Sequence, residues 1–454
     1  MRKYLPSVGA SEAKRASANR SASDGLVRPL GIGLLGLGTV GTGVARVLLA
    51  KKDALERRIG RPVQICKVLV RDLDKPRPLS LTVPLVTDAA AVIDDPAVDI
   101  VVELIGGDEP AQTFILQAIE RGKHVVTANK EVMAKHGQTI LAAAAARGVT
   151  VAYEASVGGG IPLIGPFQLD LAANDISSVV GIVNGTTNYI LTRMTESGAS
   201  FDDALKEAQN LGYAEPDPTN DVEAWDAAYK LAILASLAFG APVMPEQIAR
   251  EGITRVSQRD ILYAAEMGYS IKLLAIARLI GGQVEARVHP SLVHRGSMLA
   301  SVNGSFNAVQ IEGDLIGTAL FYGRGAGSEP TASAVIADVI ALGTGAGRGS
   351  NRVPSQPPSL RPMSLLQTRY FLRVLTLDRP GVMASIATVL GDRGISLASV
   401  VQKESVVLGD DVPGAEIVLT THVANEAAVQ DAIATLQQMP VIKTLGPLYR
   451  VHDP

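Results

Sequence analysis

The 454-residue chain reads as an α/β protein in three parts: a parallel sheet covered by helices, an α+β domain, and a C-terminal ferredoxin-like βαββαβ module. Three observations predict this. Short Val- and Ile-rich runs alternate with helical stretches from Arg28 to about residue 155, the pattern of a parallel sheet buried on both faces. Beyond it come a glycine-rich turn, clustered helices and longer strand-like runs. From Tyr370, a strand–helix–strand–strand–helix–strand order occupies the remaining residues to 454.

In the first domain, 29–155, PLGIGLL (29–35) is a strand that runs into glycines and a helix from Thr39 to Lys52. Strands follow at 63–70, 98–104 and 124–128, with helices at 111–121 and 131–147, and VTVAYEA (149–155) closes the set. The second domain, 156–345, has helices between 200 and 280 and then the strand-like runs VEARVHPSLV (284–293) and AVQIEGDLIGTALFYG (308–323). Residues 346–368, rich in Gly, Ser and Pro, read as a linker, so the first two domains are expected to fold without the last. In the third, 369–454, YFLRVLTL, ISLASVVQ, AEIVLTTHV and VIKTLGPLYRV are strands, and NEAAVQDAIATLQQM is a helix capped by Asn425.

Residues 1–28 carry six Lys or Arg and two acids among Ser and Ala, and without an amphipathic period they read as a disordered tail rather than a transit peptide. The rest excludes several classes. A net charge of −3 with both signs interspersed has no basic stripe for nucleic acid. The longest apolar run, about 231–244, is too short to span a membrane. One cysteine, Cys66, excludes a disulfide framework and points to the cytoplasm.

GLLGLGTVGTGV places Gly36, Gly38 and Gly41 in GxGxxG spacing between a strand and a helix. That context makes a Rossmann-type dinucleotide site, with the pyrophosphate near the first helical residues, Thr39 and Val40. After the second strand, VLVRDLDKPR puts Arg71 where a 2′-phosphate would sit, which favours NADP over NAD. Lys130, in VVTANKE, follows a strand at the carboxyl end of the sheet, where ligands of such sheets collect. YEASVGGGIP (153–162) offers the Glu154 carboxylate and free backbone carbonyls, and reads as a hinge between domains.

GYAEPDPTNDVEAWDAAYK (212–230) is an acidic loop that enters an apolar helix. Asp221 is expected to cap a helix beginning at Val222. Asp226 and Lys230 are four residues apart, so they share a face. A structural salt bridge is the commoner explanation of such a pair, but a buried lysine beside a dinucleotide domain is also a candidate proton donor.

Residues 208–230 resemble the homoserine dehydrogenase signature at nearly every fixed position, and TANKE, YEASVGGGIP, GIVNGTTNYIL (181–191) and GRGAGSEPTASAV (323–335) are further marks of that family. The last module resembles an ACT domain, an amino-acid-binding regulatory unit. The resemblance implies NAD(P)H-dependent interconversion of L-aspartate 4-semialdehyde and L-homoserine. It implies that Glu215 holds the substrate amino group, Asp226 positions the substrate, Lys230 is the general acid and Lys130 assists near the nicotinamide. Asp221 matches another acid of the substrate pocket, and Gly212 and Gly327 match points of backbone approach to the cofactor. Glu154, with the carbonyls of Val157, Gly159 and Ile161, matches a sodium site. A homodimer or homotetramer and an amino-acid effector, L-threonine first, are also implied, with Asp378 suited to the effector's ammonium.

One departure is Ala224, where the signature has glycine; alanine is the better helix former, so the fold is expected to tolerate it. The alternative function is an amino-acid sensor with a weakened dehydrogenase, which Lys130, Glu215, Asp226 and Lys230 together argue against. A 2-hydroxy-acid dehydrogenase would need a carboxylate-paired histidine, and the six histidines show no such motif.

Overall fold

The computed structural model describes residues 28–345, 359–407 and 413–453. The tail and most of the glycine- and proline-rich stretch therefore lie outside the described residues.

The first domain runs β1 (Leu30–Leu35), α1 (Thr39–Ala50), α2 (Lys52–Ile59), β2 (Val63–Leu69), β3 (Leu85–Val86), α3 (Ala90–Ile93), β4 (Ile100–Glu103), α4 (Ala111–Glu120), β5 (His124–Thr127), α5 (Lys130–Arg147) and β6 (Val151–Ala152). The six strands form one sheet in the order β3-β2-β1-β4-β5-β6, all parallel. Every residue of β1 is buried, as a strand covered on both faces requires. The order reverses direction between β1 and β4, and the crevice at that switch point is where such sheets bind ligands. The expected single helix to Lys52 is two, because the chain breaks at Lys51 before the charged α2.

The second domain contains α6 (Ile164–Gln168), β7 (Ile176–Ile182), α7 (Gly185–Ser197), α8 (Phe201–Asn210), α9 (Thr219–Val222), α10 (Trp225–Phe239), β8 (Ala249–Arg250), α11 (Gln258–Glu266), β9 (Tyr269–Ile280), β10 (Gln283–His294), β11 (Phe306–Gly313), β12 (Gly317–Arg324) and α12 (Ser328–Thr344). The expected run of helices to residue 280 ends at 266; YSIKLLAIARLI is instead a strand that pairs along its whole length with β10. Its nearly continuous apolar run has no strict alternation because both faces are buried: Leu273, Ala275 and Ala277 lie in the main core, and Leu274 and Ile276 in a second cluster with Leu299 and Val302. Helix α12 leaves this domain and packs on α1 and α2, where Ala332, Val335, Ile336 and Val339 join the core of the nucleotide domain.

The third part adds β13 (Gln367–Thr368), β14 (Tyr370–Leu377), α13 (Val382–Gly391), β15 (Leu397–Val407), β16 (Pro413–Thr421), β17 (Ala424–Asn425), α14 (Glu426–Gln437), β18 (Ile442–Leu445) and β19 (Tyr449–His452). Asn425 caps α14 as expected, accepting the Ala427 and Ala428 N–H groups. The single final strand is two: β18 pairs with β14, and β19 pairs with both β14 and β10. The module is thus not a bead on a linker. One eleven-stranded sheet, β12-β11-β7-β9-β10-β19-β14-β16-β15 with β8 and β18 beside it, crosses both domains. The described end of the expected linker takes part too: Leu360 bridges Val284, and β13 pairs with β17.

Candidate active site

Helix α10 carries the candidate pair, Asp226 and Lys230. It is apolar on most of its surface and lies against α5, β7, β9 and β10. Ala227, Ala228, Leu231, Ala232 and Leu234 are at most 1% exposed. The two charged residues of this helix, Asp226 and Lys230, are 2% and 8% exposed. Unpaired, either charge would be very costly there. Lys230 Nζ donates to Asp226 Oδ2 at 2.7 Å and to the Val183 carbonyl at 2.8 Å. Lys130, the first residue of α5, pairs with the other oxygen, Asp226 Oδ1. Asn184 completes the cluster, donating through Nδ2 to Asp226 Oδ2 at 2.8 Å and to Asp221 Oδ1 at 2.6 Å.

The charges sort themselves accordingly. Burial pushes the Asp226 carboxyl up, but the two ammonium groups and their hydrogen bonds outweigh it and hold the carboxylate ionised well below the usual range. Burial pulls Lys230 below an ordinary lysine, and Lys130 adds to that, with Asp226 opposing both. Lys130 shifts upward, chiefly through the charge of Asp226, with Asp221 and Glu215 contributing. Asp221 is raised by burial and by the neighbouring Asp226 charge. Of the two lysines, Lys230 is the one whose proton is more easily released.

Two expectations need correction. Asp221 does not cap α10. It lies inside the short α9, and its carboxylate meets Asn184. The residue preceding α10 is Ala224, at φ 66°, the one non-glycine residue with positive φ among those described. Helix propensity is therefore the wrong measure for this position; left-handed geometry favours glycine here by about 1–2 kcal/mol. Substitution by glycine would relieve that strain, but it would also remove a buried methyl group and loosen the unfolded chain, each worth about 1 kcal/mol or less. Ala224→Gly should therefore melt close to the parent. Ala224→Val, β-branched at a positive φ, should lose about 2 kcal/mol or more. Equal melting of all three proteins would disprove the strain at this turn. Trp225, next along, is held by the Arg250 guanidinium 3.1 Å from its ring centroid.

Asn184, within GIVNGTTNYIL, is a member of the site that no residue-pair spacing marks. An Asn before Gly-Thr-Thr is an N-cap signature, and its Oδ1 does accept the Thr187 N–H at 2.8 Å. Capping fixes the side chain, and its amide is left to orient the two aspartates.

The dinucleotide crevice holds about 880 Å³ and is lined by Gly36, Gly38, Thr39, Arg71, Leu104 and Ile105, among others. Gly36, at φ 108°, makes the turn after β1. At Gly41 a Cβ would lie 2.3 Å from the Gly36 carbonyl oxygen, so only glycine lets the helix start this close. Val40 sits with them in the first turn of α1. Arg77 folds back onto the carbonyls of Leu73 and Lys75, stiffening the loop. Among the described residues, no hydrogen bond or ion pair engages the Arg71 or Lys75 side chains. Gly327 caps α12, whose Ser328 lines the crevice and donates to the Thr39 carbonyl at 2.9 Å. Gly212 ends α8 at φ 75° and is not part of the crevice lining. Glu215 lies exposed on the following loop, which the Thr186 hydroxyl ties to α7 through the Tyr213 carbonyl.

The histidine expectation also changes. His136 Nε2 meets Asp108 Oδ1 at 2.7 Å, a pair that no local spacing reveals. Among the described residues it has no hydrogen bond to Asp226 or Lys230; it braces the loop before α4 against α5.

Glu154 is buried, and its carboxylate accepts the N–H groups of Leu163, Ile164 and Gly165 at 2.6–2.9 Å. Among the described residues no group of three or more His, Cys, Asp or Glu could hold a metal ion. Among the described residues, no backbone N–H donates to the carbonyls of the buried Val157, Gly159 and Ile161. Carbonyl oxygens with one carboxylate are donors that suit a hard monovalent cation better than a transition metal.

A dinucleotide crevice lined by Leu104 and Ile105, in a loop whose Gly107 carbonyl is bonded to Asn129 just before Lys130, belongs to a nicotinamide-dependent dehydrogenase. Family models agree: homoserine dehydrogenase matches residues 162–340, its NAD-binding domain 36–154, and the ACT domain 370–441. The homoserine dehydrogenase of Pseudomonas aeruginosa is 44% identical over 437 residues, covering 94% of this chain and 99% of its own length. That of Synechocystis sp. is 47% identical over 436 residues, covering 92% and 99%. The crystal structure of a homoserine dehydrogenase from Thiobacillus denitrificans superposes with a TM-score of 0.87 at 46% identity, covering 94% of this chain and 98% of that one. A hyperthermophilic archaeal homoserine dehydrogenase in complex with NADPH gives 0.58 at 26% identity over 69% of this chain and 97% of its own. The chain belongs to the homoserine dehydrogenase family and is an NAD(P)-dependent oxidoreductase. No helix of the described residues is long and apolar enough to cross a membrane.

Proposed function

We propose that the chain interconverts L-aspartate 4-semialdehyde and L-homoserine with NADP as its preferred cofactor, in the cytoplasm. The observation that carries this is the single carboxylate of Asp226 held between two lysines and Asn184, at the foot of the dinucleotide domain. The nicotinamide, when bound, supplies or accepts the hydride. Lys230 gives its proton to the aldehyde oxygen in reduction and takes it back from the hydroxyl in oxidation. Asp226 keeps both ammonium groups in place, and Lys130 offsets charge on the same side. Glu215 and Asp221 are acids for the substrate's ammonium.

Arg71, on the crevice rim and without a side-chain partner among the described residues, would take the 2′-phosphate, and the NADPH of the archaeal relative supports that choice. Absorbance at 340 nm with L-homoserine should rise with NADP and more weakly with NAD. In Arg71→Ala that preference should fall about tenfold or more, as losing a charged hydrogen-bond partner does. No turnover of homoserine with either dinucleotide would end the proposal, and an unchanged preference would remove Arg71 from it.

Glu154 and the carbonyls of Val157, Gly159 and Ile161 would hold sodium, which exchange of sodium for choline in the same assay examines. The chain assembles as a homodimer or homotetramer through its second domain. The edge strand β12 supports this: it has Leu315 and Ile316 just before it and Tyr322 within it, 71%, 44% and 54% exposed. Light scattering at micromolar concentration should give a multiple of 47.5 kDa; a monomer rejects it. The ACT module takes an amino-acid effector, L-threonine first, and millimolar threonine without effect on rate would exclude that ligand.

A further inference from the structure

The carboxyl end of β4 carries a buried acid that the reaction itself does not use. Glu103 is 0% exposed. Its Oε1 accepts the backbone N–H groups of Ile105 at 2.7 Å and Gly106 at 3.4 Å, and its Oε2 accepts the Thr127 hydroxyl at 2.5 Å. From there the bonds continue across to the next element. Thr127 Oγ1 accepts the Asn129 N–H at 3.0 Å. Asn129 caps α5 by accepting the Val132 N–H at 3.2 Å, and its amide donates to the Gly107 carbonyl at 2.7 Å. The residue after Asn129 is Lys130, bound to Asp226. Leu104 and Ile105, on the other side of Glu103, line the dinucleotide crevice.

A buried carboxylate is a costly way to fill a core, and an apolar side chain would pack as well. Burial pushes this carboxyl up, while Thr127 and the loop N–H groups act against it. The ionised form is the one in which all three of these donors find an acceptor. Through one pair of oxygens Glu103 joins the loop that follows β4 to Thr127, at the end of the strand that leads into Lys130. We propose that Glu103 is a positioning residue: it locks the 104–107 loop, whose Leu104 and Ile105 line the crevice, and the start of α5 into one arrangement, so that Lys130 is set relative to the bound cofactor. This rests on the role given above to Lys130.

Glu103→Gln has the same volume and still offers one oxygen to Ile105 and Gly106, but it presents an N–H where the Thr127 hydroxyl needs an acceptor. In the full-length enzyme kcat should fall about tenfold with an unshifted thermal transition, since small misplacements near the chemistry are amplified. In a Lys130→Ala background the same substitution should cost less than about twofold, because the group it positions is gone. Thr127→Val should behave the same way, and the Glu103→Gln/Thr127→Val double variant should be no worse than either alone. Equal factors in both backgrounds, or an unchanged kcat in Glu103→Gln, would overturn the proposal. If Glu103→Gln does not fold, Thr127→Val in the two backgrounds decides by the same criterion. Should Lys130→Ala alone turn over normally while Lys230→Ala does not, the role of Lys130 fails and this coupling with it, but the proposed reaction stands.

Discussion

Lys230→Ala should lower kcat about a hundredfold or more in either direction while leaving NADPH affinity near that of the parent. General acid catalysis by a positioned group is worth about 10²–10⁴-fold. The site leaves no ready substitute: Lys130, the other ammonium on Asp226, is shifted upward and gives up its proton less readily. Fold loss is a smaller risk at this position than at Asp226. Without Lys230, Asp226 keeps Lys130 and Asn184 as partners. Without Asp226, two ammonium groups would face one another. The pH dependence has a definite sign. With Lys230 as the donor, reduction needs it protonated and oxidation needs it neutral, and burial has drawn its pKa down from the lysine value. Homoserine oxidation should therefore rise with pH through that pKa and reduction should fall, and both slopes should vanish in Lys230→Ala. Near-normal turnover in the variant would remove Lys230 as the donor.

Much of this site is legible because its parts are local. The i, i+4 spacing of Asp226 and Lys230 and the GxGxxG of Gly36, Gly38 and Gly41 each depend on a few consecutive residues with one possible geometry. The rest depends on contacts that have no local pattern. Asp221 has the residue type of an N-cap, but three residues further on the chain turns through a left-handed Ala224, so the helix begins later and Asp221 is released to Asn184. His136 meets Asp108 across 28 positions and Glu103 meets Thr127 across 24, and composition cannot report either distance. The longest misreading concerns the C-terminal module. A Gly- and Pro-rich stretch suggests a free tether, yet β19 is drawn into parallel pairing with β10, more than 150 positions earlier in the chain.

That pairing makes a chain ending at Gly345 a different protein from the one the linker implies: it should be largely unfolded or aggregated rather than active and merely insensitive to threonine. Removing 346–454 strips β10 of its neighbour, since Ser291, Leu292 and Val293 lose Arg450, Val451 and His452. It also exposes charges buried by the module. Asp260, 0% exposed, is held by Arg373 at 2.7 Å and by the Tyr449 hydroxyl at 3.1 Å. Glu285, Arg287 and His289 are 2–4% exposed on β10. Breaking one buried pair by removing a partner costs about 3–5 kcal/mol where the remaining charge stays buried. Phe371, Val418, Tyr449 and Val451, which belong to the main core, leave as well. Full burial of each such side chain is worth about 1.5–3 kcal/mol. Against a total stability of about 5–15 kcal/mol, these losses exceed what a domain can absorb. Water reaching the newly opened edge will hydrate part of the charge, so the apolar loss is the firmer of the two. The same continuity gives the effector a route: a ligand on the module that prefers one sheet arrangement shifts the strand beside β10, and a ligand indifferent between arrangements shifts nothing. Size-exclusion chromatography and a thermal melt of the 1–345 chain decide the matter. A monodisperse, cooperatively melting and active product would mean that the shared sheet is a docking contact, and any effector of the module would then have to act through an interface that catalysis does not need.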